Sequence, residues 1–350
     1  MKIYVLNTGG TLGMVGNPLR PAKSAEELLE GIHLPEKSEL TLEDYPERQD
    51  STNINLADRV GFAKMINKAY DDNDAFIVMH GTDSLSETCA FLAMCFKLSL
   101  QKPLFVIGAQ MTKDEAGTDV HMQIANTIRV AQAFNRNNIV GVYSVCIGDV
   151  LHGGRVLKHN EADFSAFHTP GREPVAQSWP HVLIREGARK LDPVTAVQGL
   201  KLDTSFETRV ATFDVSADTP PWVLMDAVKG KRLAGAILIC KGAGNIPDRQ
   251  WKDGENKYSW IDTIKAATEA GIHIGIVSPF DDGRVILERY ELGAKAKAAG
   301  ALSLESLTLA MGDAKFRQAI TMHPNNPKRI QTFLSTDIIG ELLPGFEDIG

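Results

Sequence analysis

The chain has 350 residues, 43% of them apolar and 23% charged, with a formal net charge of −7. That length suits two domains with a core in each, and the composition is that of a globular protein without low-complexity tracts. No Lys/Arg block stands out, which argues against nucleic-acid or anionic-membrane partners, and no apolar run approaches the ~20 residues of a membrane helix.

Met1-Lys2 leads straight into an apolar run, with no h-region for a signal peptide. Cys89, Cys95, Cys146 and Cys240 form no C-x-x-C pair and sit among apolar residues. They read as reduced, buried thiols of a cytoplasmic protein. The histidines are scattered, without H-E-x-x-H or Cys/His spacing, so no metal site is expected.

In chain order, Ile3-Tyr4-Val5-Leu6 reads as a buried strand that exits into Asn7-Thr8-Gly9-Gly10-Thr11. Glycines at a strand exit permit a sharp turn and close backbone approach to a ligand. The turn is either structural or a site with Thr8 as hydroxyl nucleophile. The loop from Met14 to Pro21 contains two prolines and a glycine, and reads as a surface connection or a lid. Ser24 and Glu27 form a capping-box pattern opening a short helix. Asp50, Ser51, Thr52 and Asn53 precede a helical pattern from about Leu56 to Tyr70, as helix caps or as holders of a small polar ligand.

Ala75–Met79 reads as the next buried strand, ending in His80-Gly81-Thr82-Asp83 and an apolar helix around Cys89–Phe96. Asp83 is expected either to cap that helix or to serve Thr82 chemically. Strands at Pro103–Gln110, with a polar end, and Ile139–Ile147 flank a helix from about His121 to Phe134. The alternation predicts a doubly wound, mostly parallel sheet. Lys158, in a glycine-rich stretch, would pair with Asp83 if they share a cleft. Residues 1–190 are read as the larger N-terminal α/β domain and 191–207 as an irregular linker. Residues 208–350 are read as a smaller C-terminal α/β domain, with strands at 234–240 and 273–278, helices at 258–270 and 291–299, and further helices after Leu302. Gly242-Ala243-Gly244-Asn245 lacks the third glycine of a dinucleotide fingerprint.

Two hydroxyl-bearing turns, a carboxylate and a lysine are the parts of a nucleophilic hydrolase needing no metal or organic cofactor. From the residues alone, a ligand-binding α/β protein stays open beside it.

Several motifs together resemble the bacterial-type L-asparaginases, most closely the cytoplasmic type I branch. They are Thr8-Gly9-Gly10-Thr11-Leu12-Gly13-Met14, Asp50-Ser51, His80-Gly81-Thr82-Asp83, Gly108-Ala109-Gln110, Arg155 with Lys158, Gly242–Pro247, Tyr290–Gly293 and Gly340-Glu341-Leu342. They run in family order over nearly the whole chain. The resemblance implies hydrolysis of L-asparagine to aspartate and ammonia through an acyl-enzyme on Thr8. Thr82, Asp83 and Lys158 would form the second triad. Gly10, Asp50, Ser51, Thr82, Asp83, Ala109 and Asn245 would bind substrate. It also implies a homodimer or homotetramer, with Asn245, and less readily Glu288, lent by a neighbouring copy. Glutamine or an N-substituted asparagine is the alternative substrate, and a non-catalytic amino-acid-binding protein the alternative class. The chain departs from the family pattern at Leu19-Arg20-Pro21, where a lid tyrosine is usual, and at Gln123 and Met111-Thr112. It also departs at Ser278-Pro279-Phe280, which lacks the cysteine associated with a regulatory asparagine site.

Overall fold

The computed structural model describes residues 1–17, 20–21 and 24–345. Of the expected lid, Pro18 and Leu19 lie outside the described residues, whereas its stems pair as a two-residue ladder, Met14–Val15 against Arg20–Pro21. No described helix is long and apolar enough to cross a membrane. The chain divides into two compact units, Met1–Thr204 and Ser205–Gly350. Both are α/β.

The first unit is organised by β1 (Lys2–Gly9), β2 (Glu39–Gln49), α1 (Leu56–Lys68), β3 (Ala75–Met79), α2 (Leu85–Phe96), β4 (Pro103–Ile107), α3 (Val120–Arg136), β5 (Gly141–Cys146) and β6 (Asp149–His152). Short strands β7 (Leu157–Lys158), β8 (Phe167–His168), β9 (Ala176–Gln177) and β10 (Leu183–Ile184) follow. The main sheet has the order β10-β9-β6-β5-β4-β3-β1-β2. From β2 to β5 the neighbours are parallel, and from β5 to β10 they are antiparallel. Every residue of β3 and β4 is buried, as expected of central parallel strands covered on both faces. The apolar α2 is also buried throughout, except at Glu87.

Strand β2 is not expected from its sequence, which is rich in charge and contains Pro46. It is an edge strand pairing only with β1, and an edge tolerates both. Asn7 pairs with Asp44 but Gly9 with Gln49, so extra β2 residues bulge out beside the first glycine turn.

The caps also differ from expectation. Helix α1 is capped by Asn55, in a reciprocal box with Asp58, while Asp50 caps the separate 3-10 turn Ser51–Asn53. Asp83 caps nothing, because Ser84 holds the N-cap position of α2. The segment expected to be an irregular linker contains a five-residue helix, Pro193–Val197, capped by Asp192. Ser24 accepts the Glu27 amide as the capping pattern predicts, and all four cysteines are buried and free.

The second unit carries a parallel sheet, β11 (Val210–Asp214), β12 (Gly235–Ile239), β13 (His273–Val277) and β14 (Leu302–Ser303), in that order. Its helices are α4 (Trp222–Lys229), α5 (Trp260–Glu269), α6 (Glu291–Ala298), α7 (Leu309–Met322) and α8 (Pro327–Ser335). Its core includes Leu238, Trp260, Ile264 and Ile276. At its C-terminal end Lys315 and Glu341 are both fully buried, 2.5 Å apart. Lys315 also donates to the carbonyls of Leu334 and Thr336, and Glu341 accepts the amides of Ile338 and Ile339. The Gly340-Glu341-Leu342 motif thus ties the tail into the core.

Candidate active site

The two glycine turns are in backbone contact. Gly10 has φ +74°, and a methyl group there would stand 2.2 Å from the backbone of Gly81. A methyl on Gly81 would stand 2.5 Å from Ser51 Oγ, and one on Gly9 would stand 2.4 Å from the Gln49 carbonyl. Only glycine permits both the conformation and this approach. Three segments therefore meet at Gly10, Gly81 and Ser51, and Thr11 and Thr82 each follow directly from the contact.

The threonines of the first turn differ sharply. Thr8 is still in β1 and fully buried, and its Oγ1 donates to the Met79 carbonyl across the sheet at 2.8 Å. Thr11 lies beyond the turn, half-buried, at the start of the 3-10 turn Thr11–Gly13. Its hydroxyl has no partner among the described residues. Asn7 braces the turn, its Nδ2 donating to Asp44 Oδ1 (2.8 Å) and its Oδ1 accepting the Gly9 amide (3.1 Å).

The second turn carries the charge. Lys158 Nζ, from β7, donates to Thr82 Oγ1 (2.9 Å) and Asp83 Oδ1 (2.7 Å), and it also pairs with Glu161 Oε2. Thr52 Oγ1 donates to Asp83 Oδ2 at 3.3 Å, and Ser84 Oγ to the Ser51 carbonyl at 2.6 Å. The Lys158 hydrogen bond holds the Asp83 carboxyl below its ordinary pKa. Burial pulls the Lys158 ammonium down, but hydrogen bonds and charge from Asp83 and Glu161 outweigh it and leave its pKa raised. Lys158 is therefore an ammonium at neutral pH. An ammonium only donates, so the hydrogen of Thr82 must point away from it.

His80 is locked beneath this turn. Its Nδ1 faces the Gly81 carbonyl at 2.7 Å and its Nε2 faces Thr88 Oγ1 at 2.9 Å. A carbonyl only accepts, so Nδ1 carries the hydrogen and Nε2 accepts from Thr88, whose oxygen takes Arg59 Nε–H at 3.2 Å. Complete burial pushes the imidazole down to about 4, so it is neutral and does not titrate near pH 7.

The remaining predicted residues divide by location. Asp50 is exposed and Ser51 buried on the 3-10 turn tied to Asp83. Ala109 is buried beside the second turn, where a methyl on Gly108 would stand 3.0 Å from Thr82 Cγ2. Asp119 takes the amides of Gln110 and Met111, and Gln123 links the Gly108 carbonyl to the Ile147 amide. Arg155 is buried and donates to the Pro170 carbonyl, which makes it a loop brace. Asn245 belongs to the second unit, in a hollow of about 430 Å³ lined also by Gly242, Phe280, Arg289 and Tyr290. Glu288 is paired with Lys297. The four tyrosines of the first unit are engaged elsewhere. Tyr4 bonds Glu43, Tyr45 bonds Asp58, Tyr70 accepts the Gln101 amide and Tyr143 donates to the Val140 carbonyl. Sequence reading singled out Thr52 only within a run of possible caps, and it gave Asn7 and Glu161 no role. Only the three-residue spacing of Lys158 and Glu161 hinted at either of the latter.

The family model described as "Asparaginase, N-terminal" matches residues 2–187. L-asparaginase 1 of Escherichia coli (strain K12) is 25% identical over 357 residues, covering 98% of each chain. A component of the glutamyl-tRNA(Gln) amidotransferase of Saccharolobus solfataricus is 24% identical, over 98% of this chain and 76% of that one. The solved thermostable L-asparaginase from Thermococcus kodakarensis superposes with a TM-score of 0.84 at 24% identity, covering 99% of this chain and 100% of that chain, a likeness of fold. With a family model spanning more than half its length, bearing the motifs at the joined turns, this chain belongs to the asparaginase family.

Proposed function

We propose that the chain is an amidohydrolase that converts L-asparagine to L-aspartate and ammonia, with Thr11 rather than Thr8 as nucleophile. The observation that carries this reading is the contrast at the first turn. The Thr8 hydroxyl is buried and committed to Met79, whereas Thr11 follows the Gly10–Gly81 contact with its hydroxyl unpartnered among the described residues. In acylation, Thr11 Oγ1 bonds the side-chain carbonyl carbon and the C–N bond breaks. The departing nitrogen takes the Thr82 proton, which Lys158 replaces. The Thr11 proton makes good the one the relay gave. Water then cleaves the ester, one hydrogen returning to Thr11, the oxygen staying on the aspartate carboxylate and the second proton going to the ammonia released in the first step or to solvent. Glycine-turn amides suit the intermediate's oxyanion, a contribution of ~3 kcal/mol per donor. Asp50, Ser51 and Asp83 hold the amino-acid end of the substrate.

A glutaminyl amide is the second reading, favoured by the relative named as part of an amidotransferase. One methylene is worth only ~1–3 kcal/mol of discrimination. The test is ammonia release from asparagine and glutamine by the wild type and Thr11→Ala. Loss of ~10³-fold or more is expected in the variant, as for removal of other hydroxyl nucleophiles. Undiminished turnover would sink Thr11, and better kcat/KM for glutamine would select the second reading. The family resemblance supports a cytoplasmic homo-oligomer with Asn245 serving a neighbouring copy, and an active monomer in sedimentation of the same samples would rule that assembly out.

A further inference from the structure

Among the described residues, Lys158 is the only ammonium bonded to Thr82, and its coordination is complete. It carries three N–H groups and faces three acceptors, Thr82 Oγ1, Asp83 Oδ1 and Glu161 Oε2. A neutral amine has two N–H groups and a lone pair, so it can satisfy two of these acceptors at most. Glu161 lies outside the family motifs that the chain displays, and its side chain is 80% exposed.

Its loop is nevertheless built. Gln110 Nε2 donates to the carbonyls of both Glu161 (3.2 Å) and Asp163 (3.0 Å). Asn160 Oδ1 accepts the Ala162 amide and Asp163 Oδ1 the Ser165 amide, each at 2.9 Å. The strand exit that carries Ala109 and Gln110 thus also fixes the segment that brings Glu161 to Lys158.

We propose that Glu161 is a positioning residue for the proton relay, taking the third N–H of Lys158 so that the amine rests as a fully engaged ammonium between two carboxylates and Thr82. This deepens the amidohydrolase reading and rests on it only for its link to turnover. The charged groups facing Lys158 are Asp83, from the turn before α2, and Glu161, from its own hairpin. Helix α2 presents Ser86, whose Oγ accepts the Lys158 amide at 3.2 Å. The neighbouring His159 turns to His168, with Nδ1 atoms 3.0 Å apart, and Arg155 is directed to Pro170. Glu161 therefore opposes deprotonation of the relay, and any limb of the pH–rate profile set by Lys158 moves to lower pH without it.

The test is Glu161→Gln, which keeps the backbone contacts of Gln110 and removes one charge. Labelling of Lys158 by an amine-selective acylating reagent, read by peptide mass spectrometry from pH 7 to 11, reports the free amine without requiring turnover. The variant is expected to label about threefold faster or more at a fixed pH, allowing for the exposure of Glu161, with its midpoint at lower pH. The kcat/KM profile for asparagine should shift in the same direction. Superimposable labelling curves would overturn the proposal, even if both proteins hydrolyse asparagine. Faster labelling in a protein that hydrolyses no amide would leave Glu161 in its role and remove the amidohydrolase reading instead.

Discussion

The first unit contains two turns of the same plan, and they do different work. Each leaves a central parallel strand, passes through a glycine and presents a threonine. The turn after β1 is neutral and its nearest brace is a carboxamide, Asn7. The turn after β3 is charged, with Asp83 and Lys158 flanking Thr82 and a neutral histidine locked below. On the proposed function, the difference separates two tasks of covalent catalysis. In the proposed reaction the nucleophile needs access, which the half-buried Thr11 of the first turn would have, and proton transfer needs a charged relay, which Thr82 with Lys158 and Asp83 would form. The glycine pair between them makes one site of the two.

The strongest way to break that pairing is Gly10→Ala. A Cβ 2.2 Å from the Gly81 backbone, at φ +74°, forces the turns apart. The expected outcome is near-complete loss of hydrolysis together with a fall of more than about 4 kcal/mol in urea-unfolding stability. A variant with wild-type stability would show that the contact is dispensable.

The histidine beneath the second turn offers a pH test. An unfolded imidazole binds its proton near 6.5, whereas His80 in the fold does so only near 4. Between those values the unfolded chain holds more protons, so stability falls as pH drops from about 6.5 towards 4. The loss from this group is about 3 kcal/mol, levelling off below the folded value. Urea midpoints across that window should show a shallower slope in His80→Gln, and parallel slopes would contradict the assignment.

Thr8→Val sharpens the contrast within the first turn. It leaves the Met79 carbonyl without its donor, at a cost of roughly 1–3 kcal/mol of stability. Because Thr8 is placed here as structural, ammonia release by the folded variant should stay within about tenfold of wild type, where Thr11→Ala loses ~10³-fold. Equal losses in the two variants would overturn the proposed division of roles between Thr8 and Thr11.

Much of this was legible from residue order. Apolar runs such as Ala75–Met79 and Pro103–Ile107 mark central strands, because strands buried on both faces must be apolar throughout. Strand β2 was illegible for the converse reason, since an edge strand half-exposed to water keeps its charges and even a proline. The turn Asp50–Asn53 offered four capping residues in a row, and only the register of α1 selects Asn55 beyond them. The choice between Thr8 and Thr11 depended on where β1 ends. A strand reaching Gly9 keeps Thr8 within β1, directly after the Asn7–Met79 pair and bonded to the Met79 carbonyl, a placement set by tertiary pairing and absent from the motif itself. Glu161 was hidden because its part depends on Gln110, about fifty positions earlier in the chain.

The pair Lys315 and Glu341 bears on how the second unit comes into being. Lys315 sits in the middle of α7 with no exposed surface, and its counter-charge arrives 26 residues later. During synthesis, a nascent chain that has emerged only as far as the end of α8 must either leave that ammonium in water, with α7 undocked, or bury it against a carbonyl without its carboxylate. A buried charge lacking its partner there costs on the order of 3–5 kcal/mol, a large fraction of a domain's stability. Docking of α7 is thereby disfavoured until Glu341 can fold back, which makes this late motif a condition for completing the core of the second unit.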